Sequence, residues 1–139
     1  MGQIRDIMEK NVITINHDKT AHDAAKIMNE KDISFLVVMK DGNPIGVVTE
    51  RDFVGRVAAE DKKASEIPLS EITSMKFRWV EPMTEIEDAV QNLLNNNIRR
   101  LIVLEEDKLA GVITQTDLTS YLRSKLLIEG AMKDIGSKT

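Results

Sequence analysis

Residues 46–52 read Gly-Val-Val-Thr-Glu-Arg-Asp, and residues 111–117 read Gly-Val-Ile-Thr-Gln-Thr-Asp. Both stretches end an apolar run and begin a polar, helix-prone one, so each predicts a corner where a strand turns into a helix. The glycine, the first valine, the threonine and the aspartate recur 65 residues apart. A repeat of this kind indicates a chain built from two similar halves.

The repeat extends well beyond the two corners. Residues 4–57 align with residues 69–122 without a gap, and ten of the 54 aligned pairs are identical. The apolar spacing of one helix face also recurs, at positions 21, 24, 25 and 28 and again 65 residues later. We therefore divide the chain into four parts: a first repeat (1–59), a charged linker (60–68), a second repeat (69–130) and a tail (131–139).

Each repeat is predicted to contain an opening turn, a strand, a helix, two strands and a second helix. In the first repeat these elements are expected at 4–8, 12–15, 20–30, 35–39, 45–49 and from about 50. In the second repeat they are expected at 69–73, 77–80, 85–96, 101–104, 109–114 and from about 115, with a helix stop at Gly130. Because a half of about 60 residues buries little surface alone, we expect an α+β fold. Its two β-α-β-β-α half-units would pack sheet to sheet about a pseudo-twofold axis.

Composition excludes several classes of function. The net charge of −4 argues against a general nucleic-acid binder, and the lack of cysteine excludes disulfides, thiolate metal sites and a cysteine nucleophile. His17 and His22 do not share a helix face, and no nucleophile–base spacing recurs, so we expect neither a metal site nor an enzyme. The apolar runs are too short to span a membrane. We expect a cytoplasmic protein.

The threonine–aspartate pairs of the two corners have two explanations. Thr49 with Asp52, and Thr114 with Asp117, have the spacing of a capping box, which is purely structural. A helix start at the end of a strand also exposes free N–H groups, which favour anions, while a nearby carboxylate can accept a ribose diol. The residues alone leave both explanations open.

The doubled Gly-x-x-Thr-x-x-Asp resembles the ligand motif of the CBS-domain pair, also called a Bateman module. The resemblance extends to the helix spacing of Ala24 and Met28 and to the start of the strand near 98–103. It covers residues 4 to about 122. It implies a stand-alone regulatory module that binds AMP, ADP, ATP or a related adenosyl ligand in clefts between the repeats. No cofactor would be required, and the module would form a homodimer and regulate a partner protein.

The same resemblance assigns roles to individual residues. Asp52 and Asp117 would hold ribose hydroxyls, and Thr49 and Thr114 would contact the α-phosphate or ribose. Two strand residues would wall the base, Val47 and Val112. Backbone at two places would read the adenine edge, near Val12 and Ile13 and near Phe77 and Arg78. Three arginines would reach phosphates: Arg99, Arg100 and Arg51, the last across to the other cleft.

The two clefts are expected to be unequal. Ser34 and Phe35 stand in the first repeat where Arg99 and Arg100 stand in the second, so the positive charge differs. A rival hypothesis makes the protein a ligand-independent dimeric interaction scaffold. In that case the Thr/Asp pairs would only cap helices, and the C-terminal helix and tail would dock a partner.

Overall fold

Two three-stranded sheets form the framework of the computed structural model, which describes residues 2–128. The predicted helix stop at Gly130 and the tail at 131–139 lie outside these residues. In each sheet the first strand pairs in parallel with the second, and the second pairs antiparallel with the third. The predicted α+β fold of two β-α-β-β-α half-units is therefore confirmed.

The first half begins with a 3-10 turn at Ile4–Asp6. Its elements are then β1 (Thr14–Asn16), α1 (Ala21–Lys31), β2 (Phe35–Lys40), β3 (Asn43–Thr49) and α2 (Glu50–Phe53). A π-helical turn at Val54–Ala58 continues α2. The segment predicted as a linker holds a 3-10 turn at Ala64–Glu66, and it buries Ile67 in the core of this half.

The second half repeats this order. Its elements are α3 (Leu69–Ile72), β4 (Trp79–Val80), α4 (Ile86–Asn95), β5 (Arg100–Glu105), β6 (Lys108–Thr114) and α5 (Gln115–Ile128). The predicted helices and hairpins are present with ends shifted by one or two residues. The opening strands are shorter than predicted, because Val12 and Phe77 turn away from their own sheets and pack between the two sheets. No helix within residues 2–128 has the length and apolar character needed to cross a membrane.

Local irregularities recur at the same 65-residue interval. The β2–β3 ladder shifts register after Val38, and the β5–β6 ladder shifts after Val103. Left-handed backbone after the first helix of each half occurs at Asp32 (φ 54°) and Asn97 (φ 50°). Since a single residue in this conformation commonly ends a helix, the two halves stop their helices in the same way.

The opening turns are exchanged between the halves. Ile4 is fully buried in the core of the second half, and Leu69 is fully buried in the core of the first. The Ile4 N–H donates to the Thr84 carbonyl (2.9 Å), and the Leu69 N–H donates to the Lys19 carbonyl (2.9 Å). Each repeat therefore completes the core of the other, which the sequence analysis did not anticipate.

A third apolar cluster lies between the two sheets. Val37, Ile102, Leu104 and Val112 are buried there, with partly buried residues of both halves around them. This layer joins the halves face to face, as the pseudo-twofold arrangement requires.

Candidate functional site

A cleft of about 810 Å³ opens where the first corner meets the second half. The first half contributes the end of β3, the start of α2 and Ser34. The second half contributes the segment before β4 and the connection from α4 to β5. The lining residues are Ser34, Val47, Thr49, Glu50, Arg51, Val54, Lys76, Phe77, Arg78, Asn96, Asn97, Ile98, Arg99, Arg100 and Ile102.

Seven of the residues singled out in the sequence line this cleft. They are Val47, Thr49, Arg51, Phe77, Arg78, Arg99 and Arg100. Arg51 lies in the wall beside Thr49, at its own corner, whereas the sequence predicted a reach to the other cleft. The cleft thus combines one corner of the first repeat with the opening strand and the β5 start of the second.

Asp52 lies one helical turn beyond Thr49 and is largely buried. Its Oδ2 accepts from the Thr49 N–H (2.8 Å) and from the Thr49 hydroxyl (3.2 Å). Its Oδ1 lies 3.9 Å from the Arg56 Nε. The capping explanation for this pair is therefore realised in the structure, and it engages only one of the two carboxylate oxygens in hydrogen bonds with Thr49.

The remaining predicted site residues lie elsewhere. Val112 is buried in the layer between the sheets and Val12 packs against that layer, whereas Ile13 packs against the core of the first half. Thr114 caps α5 through Asp117, whose Oδ2 accepts from the Thr114 hydroxyl (2.9 Å). Asp117 also lines a hollow of about 320 Å³ with Ile7, Ser120, Tyr121 and Ser124.

The corner glycines make room for a neighbouring backbone. Val47 and Ser74 exchange two backbone hydrogen bonds (3.0 and 2.9 Å), and Val112 and Glu9 do the same (3.0 and 2.9 Å). A Cβ on Gly46 would lie 2.5 Å from the Ser74 carbonyl oxygen, and one on Gly111 would lie 2.8 Å from that of Glu9. The glycines are thus required by the exchanged opening segments, which pass directly over the corners.

The cleft is strongly basic. Five cationic residues line it, Arg51, Lys76, Arg78, Arg99 and Arg100, against the acid Glu50. The whole chain has a net charge of −4, so this concentration of positive charge is local. A cleft lined by one sign of charge attracts ligands of the opposite sign.

Arg100 is the cation held most firmly. Its guanidinium lies 4.7 Å from the centre of the Phe35 ring and donates to the Ser34 hydroxyl at 3.5 Å. Its Nε is buried and makes no hydrogen bond within the described part of the chain. Burial, and secondly the charge of Arg99, lowers the pKa of Arg100 from its ordinary value. The group therefore has an unused donor in a desolvated, positively charged setting.

None of the five cations has a charged counterpart 65 residues away. Those counterparts are Thr116, Asn11, Ile13, Ser34 and Phe35, for Arg51, Lys76, Arg78, Arg99 and Arg100 respectively. The predicted inequality of the two corners is therefore larger in the structure than the arginine pair alone suggested.

Sequence reasoning missed the contribution of the α4–β5 connection, Asn96 to Ile98. These residues reach the cleft because the left-handed Asn97 turns the chain from α4 into β5. The run of three asparagines after an amphipathic helix is a signal for such a turn, but it does not show which corner the turn faces. No group of three or more His, Asp or Glu side chains within residues 2–128 is placed to hold a metal ion.

Comparison with known proteins gives a consistent assignment. The CBS-domain family model matches twice, at residues 4–59 and 69–124. The CBS domain-containing protein YhcV of Bacillus subtilis is 29% identical over 118 residues, which are 85% of this chain and 84% of that protein. Two other curated relatives are longer, and the matched regions span only 60% and 34% of their lengths.

Solved structures show the same architecture. A putative signal-transduction protein with CBS domains from Burkholderia ambifaria superposes with a TM-score of 0.81 at 27% identity, covering 97% of this chain and all of that one. The CBS domain pair of protein MJ0100, in complex with 5-methylthioadenosine and S-adenosyl-L-methionine, has a TM-score of 0.80. It covers 90% of this chain and 98% of that one at 20% identity, so it supports the fold alone.

Proposed function

Because the chain belongs to the CBS-domain family, whose paired domains are regulatory modules rather than enzymes, we propose that it is a non-catalytic sensor of adenine nucleotides. The nucleotide would bind in the 810 Å³ cleft at the first corner. Its binding would regulate a partner protein. Adenine nucleotides are abundant in the cytoplasm, where we expect the module to act.

The observation that carries this proposal is the division of the cleft into an apolar wall and a basic wall. Val47, Phe77 and Ile102 belong to the layer between the sheets, and they offer apolar surface to a flat base. The five cations offer donors to phosphate oxygens. Small-molecule sites typically combine an apolar lining with a few polar groups that fix orientation.

The corner residues fit the ribose end of such a ligand. The Thr49 hydroxyl lines the cleft, and the Asp52 Oδ1 is not used in the cap. A ribose diol needs an acceptor of this kind beside the phosphate donors. The Arg56 Nε, 3.9 Å from Oδ1, forms only a long ion pair, which a ligand hydroxyl can displace.

Calorimetric titration with ATP, ADP and AMP tests the proposal. We expect saturable binding, and at a hundredfold excess over Kd the ligand should raise the free energy of unfolding by about 2.7 kcal/mol. If none of the three gives heat or raises Tm at millimolar concentration, the proposed function is wrong.

Two matched variants locate the site. Asp52→Asn keeps an oxygen for the Thr49 cap but removes the charged acceptor, so affinity should fall by about tenfold. Asp117→Asn makes the same change in the cap of the other corner and should leave this affinity unchanged. Equal losses in both variants would place the nucleotide elsewhere.

A second function, that of an interaction scaffold, is favoured by exposed leucines. Leu94 on α4 is 68% exposed, and Leu122 and Leu126 on α5 are 47% and 42% exposed. Such side chains support the homodimer that the family resemblance implies. Sedimentation of the wild-type chain with and without ATP would distinguish the two functions: a scaffold should assemble identically in both conditions.

A further inference from the structure

We propose that the cleft selects its nucleotide by phosphate number, taking a nucleoside triphosphate or diphosphate in preference to the monophosphate and rejecting cationic adenosyl ligands. This inference rests on the proposed function and specifies the ligand class of the same site. It concerns one cleft per chain, the one at the first corner.

The number of cations in the cleft exceeds what one phosphate can engage. The terminal group of a nucleoside monophosphate carries about two negative charges and three acceptor oxygens. The cleft presents four cations more than it presents acids. A triphosphate, with about four negative charges, would neutralise this excess, whereas a monophosphate would leave cations facing one another.

The cations also come from separate segments. Arg51 belongs to α2, Lys76 and Arg78 precede β4, and Arg99 and Arg100 lie at the start of β5. A single phosphate is too compact to meet donors from all three segments. A chain of phosphates can extend from one segment to the next, so donors beyond the first phosphate distinguish ATP and ADP from AMP.

Repulsion among the cations gives the preference its direction. Arg99 and burial together disfavour the charge of Arg100, whose buried Nε has no acceptor in the described part of the chain. The Phe35 ring and the Ser34 hydroxyl hold this guanidinium in place without supplying negative charge. An anionic ligand relieves the repulsion, and a more highly charged one relieves more of it.

The same charges disfavour S-adenosylmethionine. Its sulfonium and ammonium groups would enter a cleft that contains five cations and the acid Glu50. The second corner carries uncharged residues at all five equivalent positions, so it cannot select by phosphate number in this way. We therefore expect one polyphosphate per chain.

Calorimetric titrations with ATP, ADP, AMP, 5-methylthioadenosine, S-adenosylmethionine and inorganic tripolyphosphate test this inference. Affinity should rise by about tenfold with each added phosphate, with a stoichiometry of one. The preference for ATP over AMP should shrink when salt is raised, because the cations are partly exposed and screened. S-adenosylmethionine should give no saturable heat.

Variants identify the cations that read the distal phosphates. Lys76 and Arg78 are exposed, so Lys76→Gln and Arg78→Gln should leave Tm unchanged. Each should reduce ATP affinity by about tenfold while leaving AMP affinity nearly constant. Lys26→Gln, on the exposed face of α1 and outside the cleft, is the matched control and should bind all ligands like the wild type.

The possible failures are distinguishable. Equal affinities for ATP and AMP, both reduced by Asp52→Asn, would overturn phosphate selection while leaving the adenine-nucleotide function intact. Tripolyphosphate binding as tightly as ATP, with Asp52→Asn without effect, would leave a polyanion site and remove the nucleotide. Saturable binding of S-adenosylmethionine at the affinity of ATP would overturn the charge argument.

Discussion

The guanidinium of Arg100 lies 4.7 Å from the centre of the Phe35 ring, and Phe35 is the residue exactly one repeat length before it. Two equivalent positions of the repeat therefore touch each other, which places the pseudo-twofold axis between them. One position is aromatic and the other cationic, so a contact that symmetry would make between like residues is here a cation–π pair.

The stacking of Arg100 on Phe35 should make a measurable contribution to stability. In a double-mutant cycle with Phe35→Leu and Arg100→Met, we expect a coupling energy of about 0.5–1 kcal/mol, because cation–π pairs at partly exposed sites contribute this much. Urea denaturation of the four proteins measures it. Additive effects of the two substitutions would show that the stacked pair does not couple energetically.

The corner glycines should be intolerant of even a methyl group. Gly46→Ala and Gly111→Ala bring a Cβ to 2.5 and 2.8 Å from backbone oxygens, so each should destabilise the fold by about 1–3 kcal/mol. Gly55→Ala is the matched control. A Cβ there meets nothing within 4 Å, and the change should be neutral or stabilising by up to about 1 kcal/mol. Equal Tm values for all three variants would contradict the close approach.

The exchanged opening turn makes the second half dependent on residue 4. Ile4 is fully buried against Ile86, Leu101 and Ile113, so Ile4→Ala should cost about 2–4 kcal/mol. Hydrogen exchange should show loss of protection first in α4, β5 and β6. Val54→Ala, at a residue that is 55% exposed, is the control and should have little effect. Loss of protection confined to the first half would contradict the exchange.

The α1 cap should leave a signature at acidic pH. The Thr20 N–H, and then its hydroxyl, hold the pKa of the Asp23 carboxyl below its ordinary value of 3.8. A lowered pKa in the folded state stabilises the protein above the unfolded-state pKa, and that stability is lost as pH falls through the folded-state pKa. Asp23→Asn should therefore show a smaller fall in Tm below about pH 4 than the wild type. Parallel Tm profiles for the two proteins would exclude this role of Asp23.

Local chemistry was readable from the sequence with little error. The capping pairs Thr20 with Asp23 and Thr49 with Asp52 span three residues, and their hydrogen bonds form wherever a helix starts there. The Asp-Gly turn at 41–42 and the apolar strands on either side of it likewise depend on near neighbours. Such features recur in both halves because the local sequence recurs.

Partnerships between the halves were not readable in the same way. Val47 and Val112 occupy equivalent places in the repeat, yet Val47 lines the basic cleft whereas Val112 is buried between the sheets. Their difference arises from what packs against each, and that depends on segments far away in sequence. Lys76 and Asn96 reach the cleft for the same reason.

The sequence by itself determined the two-repeat α+β architecture, the helix caps and the unequal charge at the β2 and β5 starts, because periodicity and short-range hydrogen bonds act within a few residues. Only the tertiary structure decided that the opening turns are exchanged and that the corner glycines admit backbone. It also decided that Arg51, Lys76, Arg78, Arg99 and Arg100 share one cleft. These outcomes depend on how the two apolar sheet faces are buried against each other, and that burial is a property of the assembled halves.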